Sequence, residues 1–150
     1  MATVENEHFS LQHFICVNLN QVFPINQRKY LISQETPSEF KKKKNYFIFD
    51  IGIREITKIT NKGIESKPII AIEICNDNNQ DALLKRIPSI FEKYNSLKEL
   101  FVYNYIKKEM ILYTPQGGKI KSEQTFKSEI LNYSIKEPID YYYFFLFVIL

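Results

Sequence analysis

The stretch KPIIAIEICN, Lys67 to Asn76, decides how the rest of the chain is read. Six of the eight residues from Pro68 to Cys75 are aliphatic, alanine or cysteine. A short apolar run of this kind, rich in isoleucine and bounded by polar residues, reads as a strand buried on both faces. Glu73 sits near its end. An ionised carboxylate in that setting is costly unless it is paired, hydrogen-bonded or bound to a metal. The purpose of Glu73 is therefore the question the sequence poses.

Downstream, NDNNQDALLKRIPSIFEKY offers Asp77 to Asn79 as caps. Its apolar residues Leu83, Leu84, Ile87, Ile90, Phe91 and Tyr94 fall at helical spacing. Pro88 would remove the bond to the Leu84 carbonyl, at about 3 kcal/mol in a helix interior, so a kink or restart is expected there. LKELFVYNY and EMILYT read as two strands joined by a polar turn, and PQGG as a further turn. Upstream, ENEHFSLQHFICVNLNQVF has the period of an amphipathic helix, and a strand is expected around Tyr30 to Ile32 before the Thr36-Pro37 turn signal. Lys41 to Lys44 reads as a solvated loop, with phosphate steering as its functional alternative. Tyr46 to Ile53 reads as a strand with Asp50 embedded in it, and Thr60 to Gly63 as a turn.

The order helix, strand, strand, buried strand, helix, strand, strand predicts one α/β domain over residues 1–140, a central mixed sheet flanked by helices. A parallel crossover from Ile69–Ile74 through the helix to Phe101–Tyr105 is its expected spine. The apolar residues 141–150, YYYFFLFVIL, are about half of what a helix needs to cross a bilayer. Their aromatic and β-branched composition favours a strand, or a tail that needs a partner. At 150 residues, 45% hydrophobic and 25% charged, the chain is globular in composition, and its net charge of +3 is compatible with a nucleic-acid partner without demanding one. Cys16 and Cys75 are far apart and form no metal-ligand pattern; two reduced, buried thiols in a cytoplasmic setting are expected. The polar, acidic start does not read as a secretory signal, and no membrane partner is expected.

Asp50 and Glu73 are the acids that carry chemistry. Neighbouring strands in register would bring them within a few ångströms, where two carboxylates repel unless a cation sits between them. Mg²⁺ typically takes one or two protein carboxylates and completes its shell with waters and substrate phosphate oxygens. Lys85, one short loop and about one helical turn beyond Glu73, could reach a scissile phosphate. Plainer readings stand beside these: each acid as a strand end meeting solvent or arginine, and Asp81–Lys85 as an ordinary i,i+4 pair. His8 and His13 are five apart and do not share a helix face, so they do not read as a metal pair.

From KPIIAIEICN through LKELFVYNYIKKEMILY the sequence resembles the Uma-two family, assigned as endonucleases of the restriction-endonuclease-like PD-(D/E)XK fold. That family has a strand ending P-D-(V/I)-x-(V/I), then P-(L/I)-x-(V/A/I)-(V/I)-E-(I/V), a D-L-x-x-K-x-x-x-Y helix and a strand pair. Asp50-Ile51-Gly52-Ile53 resembles the first element, with Phe49 in place of proline; Pro68–Ile74 resembles the second, and Asp81–Lys85 the start of the helix. The helix opening at His8 is similar to the family's early helix, and the likeness spans roughly Glu7 to Asn132. It implies a restriction-endonuclease-like mixed sheet, hydrolysis of DNA phosphodiesters with Mg²⁺ or Mn²⁺, Asp50 and Glu73 as metal ligands, and Lys85 as the catalytic lysine. Cys75 stands where the usual E-x-K arrangement has its lysine. By fold analogy a homodimer is a candidate assembly. The family's Y-E-(L/I)-(I/V)-D-G-E segment is absent before the first helix, and the loop after Glu73 is about two residues short. These departures imply the alternative: an inactive, shortened relative that binds nucleic acid or protein.

Overall fold

Strand β3, Gly63–Cys75, is the axis of the molecule, and its seven residues from Ile69 to Cys75 are all buried. From Ile70 onward parity divides them: Ile70, Ile72 and Ile74 enter one core, while Ala71 and Cys75 enter the other, so both faces of the strand are covered. Burying each isoleucine contributes roughly 1.5–3 kcal/mol, which is what commits the segment to the sheet centre. The structure is a computed structural model describing residues 4–34 and 48–149.

Six strands form one sheet in chain order: β1 (Tyr30–Gln34), β2 (Ile51–Thr60), β3, β4 (Glu99–Asn104), β5 (Glu109–Gln116) and β6 (Lys119–Gln124). β3 and β4 are parallel; every other neighbouring pair is antiparallel. The parallel step is made by α2, Gln80–Lys93, as the sequence predicts. α1 (Val4–Val22) and α3 (Lys136–Ile149) cover the opposite face, with Leu11, Ile15, Leu19, Ile139 and Tyr142 meeting Phe101 and Tyr103 of β4. On the α2 face Ile87 and Ile90 pack on Ala71, Leu100 and Val102. A small hairpin, β7 (Lys127–Ser128) with β8 (Tyr133–Ser134), lies between β6 and α3. The protein is thus an α/β domain with a mixed six-stranded sheet between helices, compatible with a restriction-endonuclease-like fold. Among the described residues no helix is long and apolar enough to cross a membrane.

Four expectations change. β2 begins at Ile51, so Asp50 lies in a bend just before the strand rather than within it. The helix runs on through Pro88 without a restart. Residues 141–149 continue the helix begun at Lys136 instead of forming a strand, and Tyr142 is part of the core while Phe147 is 85% exposed. The β2–β3 hairpin is also longer than predicted, turning at Asn61-Lys62 with Gly63 at φ 142°, a conformation side chains disfavour. Pro68 sits at a register shift opposite Arg54, where its missing N–H is tolerated. The Thr36-Pro37 turn, the Lys41–Lys44 run and Tyr46–Phe47 lie outside the described residues. Cys16 and Cys75 are both buried and unbridged, on opposite sides of the sheet.

Candidate functional site

Glu73 shares the parity of Ala71 and Cys75, so its side chain leaves β3 toward α2, and it is only 6% exposed. The antiparallel register pairs Ile51 with Ile72, which sets Asp50 opposite Glu73 at the point where the ladder ends. The two side chains take over from the backbone there. The Asp50 N–H donates to Glu73 Oε1 at 2.9 Å, and the Ile74 N–H donates to Asp50 Oδ2 at 2.7 Å. Those bonds explain why β2 starts one residue late: the carboxylates satisfy the donors that a further ladder step would have used.

His8 reaches the same point from α1, its Nε2 3.2 Å from Asp50 Oδ2. The ring nitrogen is sealed from solvent and not aligned for a hydrogen bond, so the contact is a close polar approach. Burial raises the Glu73 carboxyl well above the ordinary carboxylate range, and repulsion from Asp50 adds to it; the Asp50 N–H and the Arg86 guanidinium act in the opposite sense. A side-chain hydrogen bond to Asp50 also favours the protonated Glu73.

A pocket of about 210 Å³ opens over this pair, lined by His8, Asp50, Glu73, Asn79, Leu83 and Arg86. Asn79, Ala82, Leu83 and Arg86 make one stripe of α2 at i, i+3, i+4 and i+7, and all four line the pocket. Lys85 is off that stripe and exposed, so the structure brings Asp50 and Glu73 together but not Lys85. The physical reason is the helical step of about 100° per residue, which turns consecutive residues to different faces. Cys75 lines the pocket where a lysine was expected by analogy, but burial, with Glu73 and Asp50 beside it, pushes its thiol up to about 12, so it brings no charge.

Two neighbouring carboxyls lining one pocket are a donor pair that a hard divalent cation could use. Among the described residues there is no group of three or more acids, histidines or cysteines that could hold a metal; Asp50 and Glu73 are a pair of acids. His8 and Arg86 are the site residues that sequence reasoning did not single out. Both carried a signal: His8 is on the inward stripe of Leu11, Ile15 and Leu19, and Arg86 on that of Leu83. His13 is elsewhere, its Nδ1 3.3 Å from Gln34 Oε1. No protein-family model matches the chain, and no curated protein matches it.

Proposed function

We propose that the chain is a metal-dependent endonuclease hydrolysing DNA phosphodiesters, a relative of the Uma-two family. The observation that supports this reading is the convergence of Asp50 and buried Glu73 on one pocket with Arg86 on its wall. Asp50 and Glu73 would hold Mg²⁺ or Mn²⁺, which when bound activates water and offsets charge on the departing oxygen. Arg86, planar and permanently charged, is suited to a bidentate grip on the scissile phosphate, the part that the resemblance gives to Lys85. His8 steadies Asp50 through the 3.2 Å contact. Asn79 and Leu83 close the pocket wall on the α2 side.

Calorimetric titration of Mn²⁺ into the protein and into Asp50→Asn and Glu73→Gln variants tests the proposal, with supercoiled DNA cleavage as the second readout. Binding by the parent, lost in both variants together with cleavage, is expected. Cleavage that survives in both variants would overturn it.

The reciprocal backbone bonds of the two acids favour one other reading. They close the β2–β3 ladder by themselves, so the pair could serve as a clasp in an inactive relative that only binds nucleic acid or protein. Absence of Mn²⁺ binding, together with DNA affinity that falls steeply with salt, would select it.

A further inference from the structure

A second pocket, about 270 Å³, lies on the other face of the sheet at the same end of the β3–β4 pair. It is lined by Tyr103, Lys108, Phe126, Lys136, Asp140 and Tyr143. A short run of contacts ties it to the acidic pair: His8 approaches Asp50, its ring lies 6.4 Å from that of Tyr105, and the Tyr143 hydroxyl donates to the Tyr105 carbonyl. The β4–β5 turn between the two pockets is basic, with Lys107 turned to Asp77 and Lys108 over the Tyr143 ring at 4.5 Å.

The polar groups here are underused. The Tyr103 and Tyr143 hydroxyls stand 3.4 Å apart, and Tyr143 reaches the Tyr105 carbonyl at 3.5 Å, both far longer than the 2.7–2.8 Å usual for O–H···O bonds. The two phenols, one on a buried ring, thus form a long chain to the Tyr105 carbonyl that a ligand oxygen could compete for. Lys108 and Lys136 line the pocket and could each meet a phosphodiester oxygen, with Asp140 on its wall and Glu7 close to the same tyrosines. The Tyr143 and Phe126 rings supply apolar walls of the kind on which bases stack.

We infer that this pocket holds one unstacked nucleotide of the substrate strand, so that the enzyme acts on DNA that is single-stranded or locally unpaired beside the cleavage point. This rests on the nuclease reading for its purpose, but not for its test. A base can enter a pocket only after leaving the duplex stack, and that costs least where the strand is already unpaired.

The test is equilibrium binding without divalent metal, followed by NMR or calorimetry. The probes are the thymidine dinucleotide with one phosphodiester, thymidine, inorganic phosphate, and a short oligonucleotide as single strand and as duplex. The dinucleotide should bind more tightly than thymidine or phosphate, and the single strand more tightly than the duplex. Lys108→Asn, chosen because asparagine accepts the φ of 57° at this position, should weaken the single strand about tenfold. Tyr143→Phe should weaken it severalfold while leaving the rings in place. Phosphate binding as tightly as the dinucleotide, or equal single-strand affinity in parent and Lys108→Asn, would overturn the inference. So would duplex bound as well as single strand. Failure of the nuclease reading shows separately, as Mn²⁺ binding and cleavage that do not respond to Asp50 and Glu73.

Discussion

β3 and β4 run side by side, and each buries one glutamate: Glu73 at 6% exposure and Glu99 at 2%. Burial raises the carboxyl of both above its ordinary range. Their surroundings differ. Glu99 opens β4 and receives the Ser128 hydroxyl at 2.6 Å, the Glu129 N–H at 2.9 Å and the Ile130 N–H at 3.4 Å. It fastens the β7–β8 hairpin to the sheet, and the geometry is complete within the protein. Glu73 instead lies against another acid, both lining one pocket. A buried acid with its donors supplied is a structural fastening; a buried acid held against a like charge is destabilising until something else arrives.

Exchanging the two acids for neutral residues should separate these roles. Glu99→Ala strands a buried hydroxyl and two backbone donors, and should lower unfolding free energy by about 2–4 kcal/mol in urea denaturation with Mn²⁺ affinity unchanged. Glu73→Gln puts a neutral hydrogen-bonding group where burial already favours the protonated acid, so its stability should equal or exceed the parent's while Mn²⁺ affinity falls by more than the ~10–100-fold that loss of a supporting partner costs. A Glu73→Gln protein as unstable as Glu99→Ala would erase the distinction and return Glu73 to a structural part.

The pH dependence sharpens the same contrast. Each carboxyl is raised in the folded state, so each contributes stability that is fully present below the unfolded value near 4.5 and is lost as pH rises through the raised one. Glu99→Gln should therefore gain on the parent as pH increases across that window, measured as the urea midpoint at several pH values. A metal held by Glu73, as proposed, would have to displace the proton, so Mn²⁺ affinity should climb about tenfold per pH unit until the carboxyl is ionised, then level off. Affinity that does not vary with pH would separate metal binding from Glu73.

The buried strand, the crossover and the pairing of Asp50 with Glu73 were legible because period, length and register follow from residue type along a short stretch. The run Ile69–Cys75 could hardly be placed anywhere but the sheet centre. What was hidden depends on contacts distant in sequence. Residues 141–149 are helical because Ile139 and Tyr142 find the core beside Phe14 and Leu11 of α1, and their β-branched and aromatic composition yields to that packing. Pro88 is accommodated because Ile87 and Ile90, on either side of it in sequence, anchor α2 to the core. Tertiary contact outweighed local preference in both places.

The smallest effect expected is also the one that best separates motif spacing from geometry. Spacing from Glu73 selects Lys85, whereas the stripe of α2 that lines the pocket selects Arg86. Lys85→Ala changes an exposed side chain away from the pocket, so cleavage should stay within about twofold and stability within ~0.5 kcal/mol. Arg86→Ala should cut cleavage at least tenfold with Mn²⁺ still bound, and Arg86→Lys should recover only part, since an ammonium cannot reproduce a bidentate grip. Both variants keep the fold, because neither residue belongs to either core. Reversed effects would mean that α2 rotates or shifts when the substrate strand is bound, carrying Lys85 inward at the expense of Arg86.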